Sequence, residues 1–232
     1  MKSVSVIIPV YNEAKTIISV LDKVSSVALD GASILEIIVV DDASTDETGS
    51  LLQNQKDPKV HYIRKEKNGG KGSAMRLGFT KASGDIILIQ DADLEYSPDD
   101  YQKLLNPILS GNAQVVYGSR FLEKRNWGKK MIIWRAANYF LTSFSNLATG
   151  LRLTDMETCY KIFDRNVLDT FKDRLESNRF EIEVELTAWV GRSKVKIVEV
   201  PISYQSRSYA HGKKIGWRDG LEALGAIMRF RK

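Results

Sequence analysis

Three apolar runs in the first hundred residues each end in a cluster of polar and acidic side chains, and this pattern constrains the fold more than any other feature. The runs span residues 4–9, 34–40 and 85–90, and the clusters follow at 11–13, 41–42 and 91–93. Helical stretches separate the runs, which is the order that builds a parallel sheet covered by helices on both faces. Because the carboxyl ends of parallel strands meet at one edge of the sheet, where ligands bind, we expect the three clusters to form a single site.

The other apolar patterns complete an α/β fold, a mostly parallel sheet flanked by helices with amphipathic helices near the C-terminus. Further strands are expected at 60–64, 115–117 and 195–204, the last interrupted by Pro201. Helices are expected at 13–27, from Ser44 or Thr45 to Gln55, from the glycine turn at 68–70 to Ala82, from Pro98 onwards, and at 128–150, 181–190 and 217–230. The length suits a single domain over residues 1–232.

Charge is unevenly distributed along the chain, whose formal net charge is +5. Residues 1–119 carry 12 basic and 16 acidic side chains, a net −4, whereas residues 120–232 carry 22 and 13, a net +9. The division suggests a first half that handles a cation and a second half that attracts an anion, although an accidental surface imbalance also explains it. The basic residues are dispersed and lack an aromatic–basic signature, so we expect no nucleic-acid partner.

Two segments of the second half suit the surface of a membrane. The helix at 128–150 has a basic entry and many aromatic residues, a pattern with which packing on the main domain is equally compatible. The helix at 217–232 is amphipathic. No run reaches the ~20 apolar residues that span a bilayer, and no targeting segment is visible. The single cysteine, Cys159, indicates a packing role and a reducing compartment. We expect a cytoplasmic protein, peripheral at the cytoplasmic face of a membrane, and a separate membrane subunit is left open.

The cluster at residues 91–95 has the chemistry of a metal site. Residues two apart on an extended segment point the same way, so Asp91, Asp93 and Glu95 are able to converge on one cation. Oxygen ligands favour Mg²⁺ or Mn²⁺, and such an ion would neutralise a diphosphate leaving group. A bare D-x-D pattern is common on protein surfaces, and its position after an apolar strand makes this one informative.

Two further motifs point to a nucleotide. Asp41 follows a buried strand and is expected to accept hydrogen bonds from a nucleoside, whereas 44–47 is typical of a helix cap. In the motif Asn68-Gly69-Gly70-Lys71-Gly72, backbone N–H groups and Lys71 are expected to approach a phosphate or a base at the start of a helix. The motif does not match the P-loop pattern, which disfavours ATP hydrolysis.

Together these motifs resemble the family 2 glycosyltransferases of the GT-A (Rossmann-like) fold, through residues 6–13, 39–46, 68–72 and 91–95. Within that family the chain is similar to the dolichyl-phosphate mannose synthases and polyprenyl-phosphate glycosyltransferases, through residues 117–121, 154–161 and 207–214. The resemblance covers essentially the whole chain. It implies inverting, metal-dependent transfer of a sugar from a nucleotide-sugar (GDP-mannose or a UDP-sugar) to a polyprenyl or dolichyl phosphate.

The resemblance also implies roles for individual residues. The nucleotide-binding positions are Pro9, Tyr11, Glu13, Asp41, Lys71, Asp91 and Ala92. The metal positions are Asp91, Asp93 and Glu95, the last standing where the synthases commonly have glutamine. The acceptor-binding positions are Arg120, Arg135, Asp155, Arg207 and Lys213, and catalysis would rest on Asp93, Arg120, Arg207 and Lys213. Residues 1–119 would then bind the nucleotide-sugar and residues 120–232 the acceptor.

Two alternatives stay open at this stage. A family 2 enzyme that acts on a sugar hydroxyl of a cell-surface glycan needs a general base, for which Asp155 or Glu157 is the candidate; ordinary salt bridges near Lys161 and Arg165 also explain both. From another class, the chain would be a nucleotide- or nucleic-acid-binding protein without catalysis. His61 and His211 are weak metal candidates because they lie far apart in the sequence.

Overall fold

The sheet that the apolar runs predict is present, and it extends through both halves of the chain. The computed structural model describes residues 1–123, 129–207 and 217–231, with side chains from 134 and from 220 onwards in the helices that begin at 129 and 217. The strands in these ranges are β1 (Lys2–Val10), β2 (Ala32–Asp41), β3 (Val60–Arg64), β4 (Ile86–Ile89), β5 (Val115–Ser119), β6 (Lys161–Asp164) and β7 (Ile197–Pro201). They form one sheet in the order β3-β2-β1-β4-β6-β5-β7.

The parallel part of the sheet is the part that the sequence predicts. β1 pairs in parallel with β2 and β4, and β2 pairs in parallel with β3. Every residue of β1 from Val4 to Val10 is buried, which explains why all of them except Ser5 are apolar. The prediction of a mostly parallel sheet flanked by helices is confirmed.

One strand, β6, is not predicted from the sequence; it lies antiparallel between β4 and β5. This strand is four residues long and begins with Lys161, so it lacks the apolar pattern by which strands are recognised. β7 pairs in parallel with β5 at the sheet edge and ends at Pro201, so it is shorter than the strand expected at 195–204. Proline cannot donate to a ladder of strand hydrogen bonds and is therefore tolerated at such an edge.

Helices cover the sheet: α1 (Ile17–Ser26), α2 (Thr48–Gln53), α3 (Lys71–Lys81), α4 (Tyr101–Leu109), α5 (Lys129–Thr149), α6 (Arg165–Asp169), α7 (Ile182–Ser193) and α8 (Trp217–Phe230). The prediction that Ser44 or Thr45 caps α2 is wrong, because α2 begins at Thr48. Ser44 Oγ instead accepts a hydrogen bond from the backbone N–H of Asn12 at 2.9 Å. Asp46 Oδ1 accepts the N–H of Thr48 at 3.0 Å and so serves the helix start.

The helices α5, α7 and α8 share a second apolar cluster beside the sheet. Its buried members are Met156, Val184, Ala188, Ala223, Ala226, Ile227 and Phe230. One face of each C-terminal helix therefore packs on the protein itself. Other faces expose large apolar side chains, namely Tyr139, Phe140 and Leu147 on α5 and Leu221 and Met228 on α8. Among the described residues, no helix combines the length and the apolar character that crossing a bilayer requires.

Candidate active site

A cavity of about 650 Å³ lies at the carboxyl ends of β1, β2 and β4, where the three polar clusters meet. We call it the central cavity. The predicted site residues that line it are Pro9, Tyr11, Glu13, Lys71, Asp91, Ala92, Asp93, Glu95, Arg120 and Arg207. Asp41, Arg135 and Asp155 are not part of its lining. Lys213 and His211 lie outside the described residues.

Each of the three strand ends carries one non-glycine residue in the left-handed backbone region. These residues are Asn12 (φ 51°), Ala43 (φ 60°) and Leu94 (φ 61°). Such a conformation costs on the order of 1–2 kcal/mol per residue and persists only where the surrounding structure enforces it. At Leu94 it has a direct consequence, since it breaks the extended alternation on which the prediction of three converging carboxylates rests.

The acidic motif after β4 therefore divides into a pair and a separate residue. All three carboxylates line the central cavity, but Glu95 is held by other groups: it accepts hydrogen bonds from Tyr204 Oη at 2.9 Å and from the backbone N–H of Arg207 at 2.6 Å. Within the described part of the chain, no three acidic, histidine or cysteine side chains are grouped as a metal site would need. The structure does not bring Glu95 to the Asp91–Asp93 pair as a third ligand.

Burial and like charge together perturb this pair. The pKa of Asp93 is raised to about 7, first because the carboxyl is buried and then because Asp91 and Glu95 are negatively charged; Arg207 opposes the shift. Asp91 is balanced by Lys71, whose Nζ lies 2.9 Å from Asp91 Oδ1. The pair is thus a site of concentrated negative charge that a divalent cation would stabilise.

Arg207 connects carboxylates from distant parts of the chain. Its Nη1 donates to Glu13 Oε2 at 2.9 Å, and its Nη2 donates to Glu13 Oε1 at 3.2 Å and to Asp93 Oδ2 at 3.0 Å. Its backbone N–H donates to Glu95, as described above. The loop after β7 is thereby held over the ends of β1 and β4, which explains how a residue near the C-terminus reaches the cavity.

At the end of β2, Asp42 lines the central cavity and Asp41 does not. Asp41 is fully buried; it accepts hydrogen bonds from the backbone N–H of Ser44 at 2.8 Å, from Tyr62 Oη at 3.0 Å and from Arg64 Nη1 at 3.0 Å. Asp41, the last residue of β2, is bound by side chains of β3, whereas Asp42, the residue after the strand, lines the cavity. The expectation that Asp41 contacts the nucleoside is therefore not supported.

Asp42 organises the glycine turn that precedes α3. Its carboxylate accepts the N–H of Gly69 at 2.9 Å and of Gly70 at 2.6 Å, and it is paired with Lys65. Gly70 has a φ of 90°, and a Cβ at this position would lie 2.5 Å from the backbone oxygen of Asn178. Only glycine fits this turn, which brings the start of α3 and Lys71 to the cavity.

Two buried residues that the sequence does not predict, Glu183 and Lys161, position Lys71. Lys71 Nζ lies 2.9 Å from Glu183 Oε1 on α7 as well as from Asp91. Glu183 is paired in turn with Lys161, which is fully buried and donates to the carbonyls of Met156 at 2.8 Å and Thr158 at 2.7 Å. The result is an alternating row of charges, Lys161–Glu183–Lys71–Asp91, that ends in the cavity. Burial opposes the charge on Lys71, but the Asp91 and Glu183 carboxylates raise its pKa well above the usual range.

Arg120 enters the cavity as a buried cation. Its Nε and Nη2 donate to the two oxygens of Asp155, both at 2.7 Å, and its backbone N–H donates to Asp155 Oδ2 at 3.0 Å. The guanidinium carbon lies 4.8 Å from the ring centroid of Trp134 and 5.2 Å from that of Tyr204. Those two rings are stacked with centroids 5.7 Å apart. Arg120 is thus fixed in orientation, and Asp155 acts through it.

The remaining candidates differ in their access to the cavity. Arg135 is exposed on α5, with its guanidinium 5.8 Å from the Phe121 ring, and does not line the cavity. Glu157 does line it, and burial raises the pKa of Glu157 to about 7, with Lys161 as the main opposing charge. Cys159 is buried with its pKa raised well above the usual range by burial, which fits the packing role expected of it.

The architecture is the GT-A fold, and its site combines an acidic pair with buried cations. The chain belongs to the glycosyl transferase family 2, whose family model matches residues 5–171.

Relatives of similar length fall in the same family branch. The chain is 29% identical to a UDP-N-acetylglucosamine–dolichyl-phosphate N-acetylglucosaminyltransferase of Methanococcus voltae, over 92% of this chain and 91% of the relative. It is 30% identical to an undecaprenyl-phosphate mannosyltransferase of Micrococcus luteus, over 97% of this chain and 92% of the relative. Among solved structures, glucosyl-3-phosphoglycerate synthase from Mycobacterium tuberculosis, in complex with Mg²⁺ and UDP, matches with a TM-score of 0.74 at 19% identity, over 99% of this chain and 79% of that one. At this identity the match supports the fold.

Proposed function

We propose that this glycosyltransferase moves a sugar from a nucleotide-sugar to a polyprenyl phosphate. The relatives named above carry such activities in their names, one with a UDP-linked donor and one a mannosyltransferase. The observation that carries the proposal is the pairing within one cavity of the Asp91–Asp93 carboxylates with the fixed guanidinium of Arg120. The carboxylates suit a metal-bound diphosphate, and the guanidinium suits an anionic acceptor.

On the donor side, Asp91 and Asp93 would hold Mg²⁺ or Mn²⁺. Their donor set fits such an ion, because both carboxylates face one cavity, and burial together with the negative charge of Asp91 raises the pKa of Asp93. When bound, the ion would stabilise negative charge on the departing nucleoside diphosphate. The nucleotide would contact Pro9, Tyr11, Glu13, Asp42 and Lys71, which line the same cavity.

On the acceptor side, a lipid monophosphate is already an anion near neutral pH and attacks the anomeric carbon without a protein base. The protein must bring two anionic groups together, so the cations matter most. Arg120 and Arg207 line the cavity and supply planar donors for phosphate oxygens. Lys213 and Arg135 stay proposals for the acceptor. Catalysis would come from orientation and from charge stabilisation, with inversion at the anomeric carbon.

The direct test is sugar transfer into the organic phase. Purified protein is incubated with Mn²⁺ or Mg²⁺, polyprenyl phosphate and labelled GDP-mannose, UDP-glucose or UDP-N-acetylglucosamine. Label should enter the lipid with one donor, disappear with Asp93→Asn and persist with Asp169→Asn, an exposed partner of Lys172 outside the cavity. Metal-dependent donor binding without lipid label for any donor would reject the lipid phosphate as acceptor.

A second candidate acceptor is a sugar hydroxyl, which requires a general base. Asp155 is excluded from that role in this structure, since Arg120 occupies both of its oxygens. Glu157 is the candidate that lines the cavity, and its pKa of about 7 suits proton transfer near neutral pH. Label transferred to an added glycan and not to lipid, with loss of turnover in Glu157→Gln, would favour this alternative.

A lipid acceptor also requires contact with a membrane, at its cytoplasmic face in our proposal. The exposed apolar residues of α5 and α8 are the candidate contacts, and Leu147 is the most exposed of them at 82%. Burying such a side chain in lipid contributes roughly 1.5–3 kcal/mol. Leu147→Glu should therefore reduce flotation with anionic liposomes about tenfold or more, while nucleotide binding stays unchanged. Equal flotation of wild type and Leu147→Glu would reject the proposal that this surface contacts the membrane.

A further inference from the structure

Glu157 lies in the central cavity with a buried carboxylate oxygen that has no hydrogen-bond partner among the described residues. The other carboxylates in the lining are all paired. Their partners are Arg207 for Glu13 and Asp93, Lys65 for Asp42, Lys71 for Asp91, Tyr204 for Glu95, and Lys161 for Glu183. Leaving a buried acceptor unsatisfied costs on the order of 1–3 kcal/mol, so a free oxygen here calls for a ligand.

The backbone holds Glu157 in this position. Lys161 donates to the carbonyl oxygens of the residues on either side, Met156 and Thr158, and Lys161 is itself fixed by Glu183. The backbone of residues 156–158 is therefore held in place by a buried side chain. The backbone on either side of Glu157 therefore cannot move away from the cavity without breaking hydrogen bonds of a fully buried lysine.

The groups that surround Glu157 in the cavity indicate what kind of ligand its unpaired oxygen would bind. Glu157 shares the central cavity with Arg120 on the acceptor side and with Asp91 on the diphosphate side, where Glu183 holds Lys71 beside Asp91. Between two sites for phosphate lies the sugar that is transferred. A carboxylate repels phosphate but accepts a hydrogen bond from a neutral hydroxyl, and such bonds to charged acceptors are strong and directional.

We propose that Glu157 Oε1 accepts a hydrogen bond from a hydroxyl of the donor's sugar, which makes Glu157 a specificity-determining residue. The inference rests on the proposed function, because a phosphate acceptor needs no base and leaves Glu157 available to the donor. A sugar that lacks this hydroxyl, or presents it with the opposite configuration, leaves the buried oxygen unpaired and binds more weakly.

The test compares binding of nucleotides with and without the sugar. Wild type, Glu157→Gln and Glu181→Gln are titrated by calorimetry with UDP, GDP, UDP-glucose, UDP-N-acetylglucosamine and GDP-mannose in the presence of Mn²⁺. Glu181 is a matched control, since it also has a buried oxygen without a partner among the described residues but does not line the cavity. In Glu157→Gln, the Kd of the preferred nucleotide-sugar should rise about 10- to 100-fold, the range for a hydrogen bond to a charged group. The Kd of UDP or GDP should change less than twofold, and Glu181→Gln should match wild type.

Deoxy analogues of the preferred donor then identify the hydroxyl. The analogue that lacks it should bind wild type and Glu157→Gln equally, while the other analogues keep the difference. The inference is overturned if the variant loses nucleotide and nucleotide-sugar affinity alike, if it loses neither, or if only turnover falls, as for a base. Absence of lipid label together with the expected binding differences would reject the lipid acceptor and leave the role of Glu157 standing.

Discussion

The Arg120–Asp155 pair offers the sharpest test of how the cavity is built. Asp155 is fully buried and Arg120 is 6% exposed, and three hydrogen bonds join them. Asp155→Asn preserves the shape but removes the negative charge and directs an amide N–H₂ at the guanidinium. One acceptor oxygen remains, so the guanidinium keeps part of its hydrogen bonding and loses its counter-charge.

The expected loss follows from this geometry. Breaking a buried ion pair by removing one partner costs about 3–5 kcal/mol, and the retained oxygen places this variant near the lower figure. For a chain of this length that corresponds to a fall in Tm of roughly 6–12 °C. The aromatic contacts of Arg120 with Trp134 and Tyr204 are unaffected by the change, so they are not part of the loss.

A double-mutant cycle separates the pair from general damage to the core. Free energies of unfolding are measured by urea denaturation for Asp155→Asn, Arg120→Met and the double variant, with Asp169→Asn as an exposed control. Because the double variant contains no uncompensated charge, its loss should be smaller than the sum of the single losses by about 2 kcal/mol or more. Losses that add within about 0.5 kcal/mol, or an Asp155→Asn variant as stable as wild type, would refute the reasoning.

The glycine turn before α3, the acidic pair and Lys71 each lend themselves to a separate measurement. Gly70→Ala should lower the free energy of unfolding by about 2 kcal/mol or more in thermal unfolding, because the φ of Gly70 is positive and a Cβ would meet Asn178. Gly225→Ala is the control: Gly225 lies in a helix with open space around it, so the change should be neutral or stabilising. Equal effects of the two substitutions would contradict this expectation. Protons compete with metal for Asp93, because its raised pKa of about 7 keeps the carboxyl protonated at lower pH. The affinity for Mn²⁺, measured by calorimetry, should therefore fall about tenfold from pH 8 to pH 6. A constant affinity would argue against the raised pKa of Asp93. Lys71→Met removes the cation that competes with metal for Asp91. Mn²⁺ alone should therefore bind the variant more tightly than it binds wild type, while UDP or GDP should bind the variant more weakly. Weaker binding of Mn²⁺ to the variant would contradict this reasoning.

The sequence predicts the parallel strands and the place of the site because both depend on local patterns. Continuous apolar runs identify β1, β2 and β4, and their polar ends meet by the geometry of parallel sheets. The charged interior of the second half has no such local signal. Glu183 and Lys161 are charged residues in short segments, and only the docking of α7 against β6 and α3 reveals that they are buried partners. The same limit applies to Asp41 and Asp42, adjacent carboxylates whose partners come from different places, β3 for Asp41 and the glycine turn before α3 for Asp42.

The charges of the central cavity are balanced before any substrate binds, and this balance bears on the proposed mechanism. Lys71 is held by Asp91 and Glu183, and Arg207 by Glu13 and Asp93. Both cations therefore share a carboxylate with the proposed metal site. A divalent ion at Asp91 and Asp93 would compete for those carboxylates and leave Lys71 and Arg207 available to phosphate oxygens. Metal and nucleotide would thus favour each other's binding through shared ligands, in the range of 1–3 kcal/mol usual for coupled sites. Arg120 is outside this exchange, because Asp155 has no proposed metal ligand among its described contacts. Arg120 would therefore stay fixed for the proposed acceptor throughout.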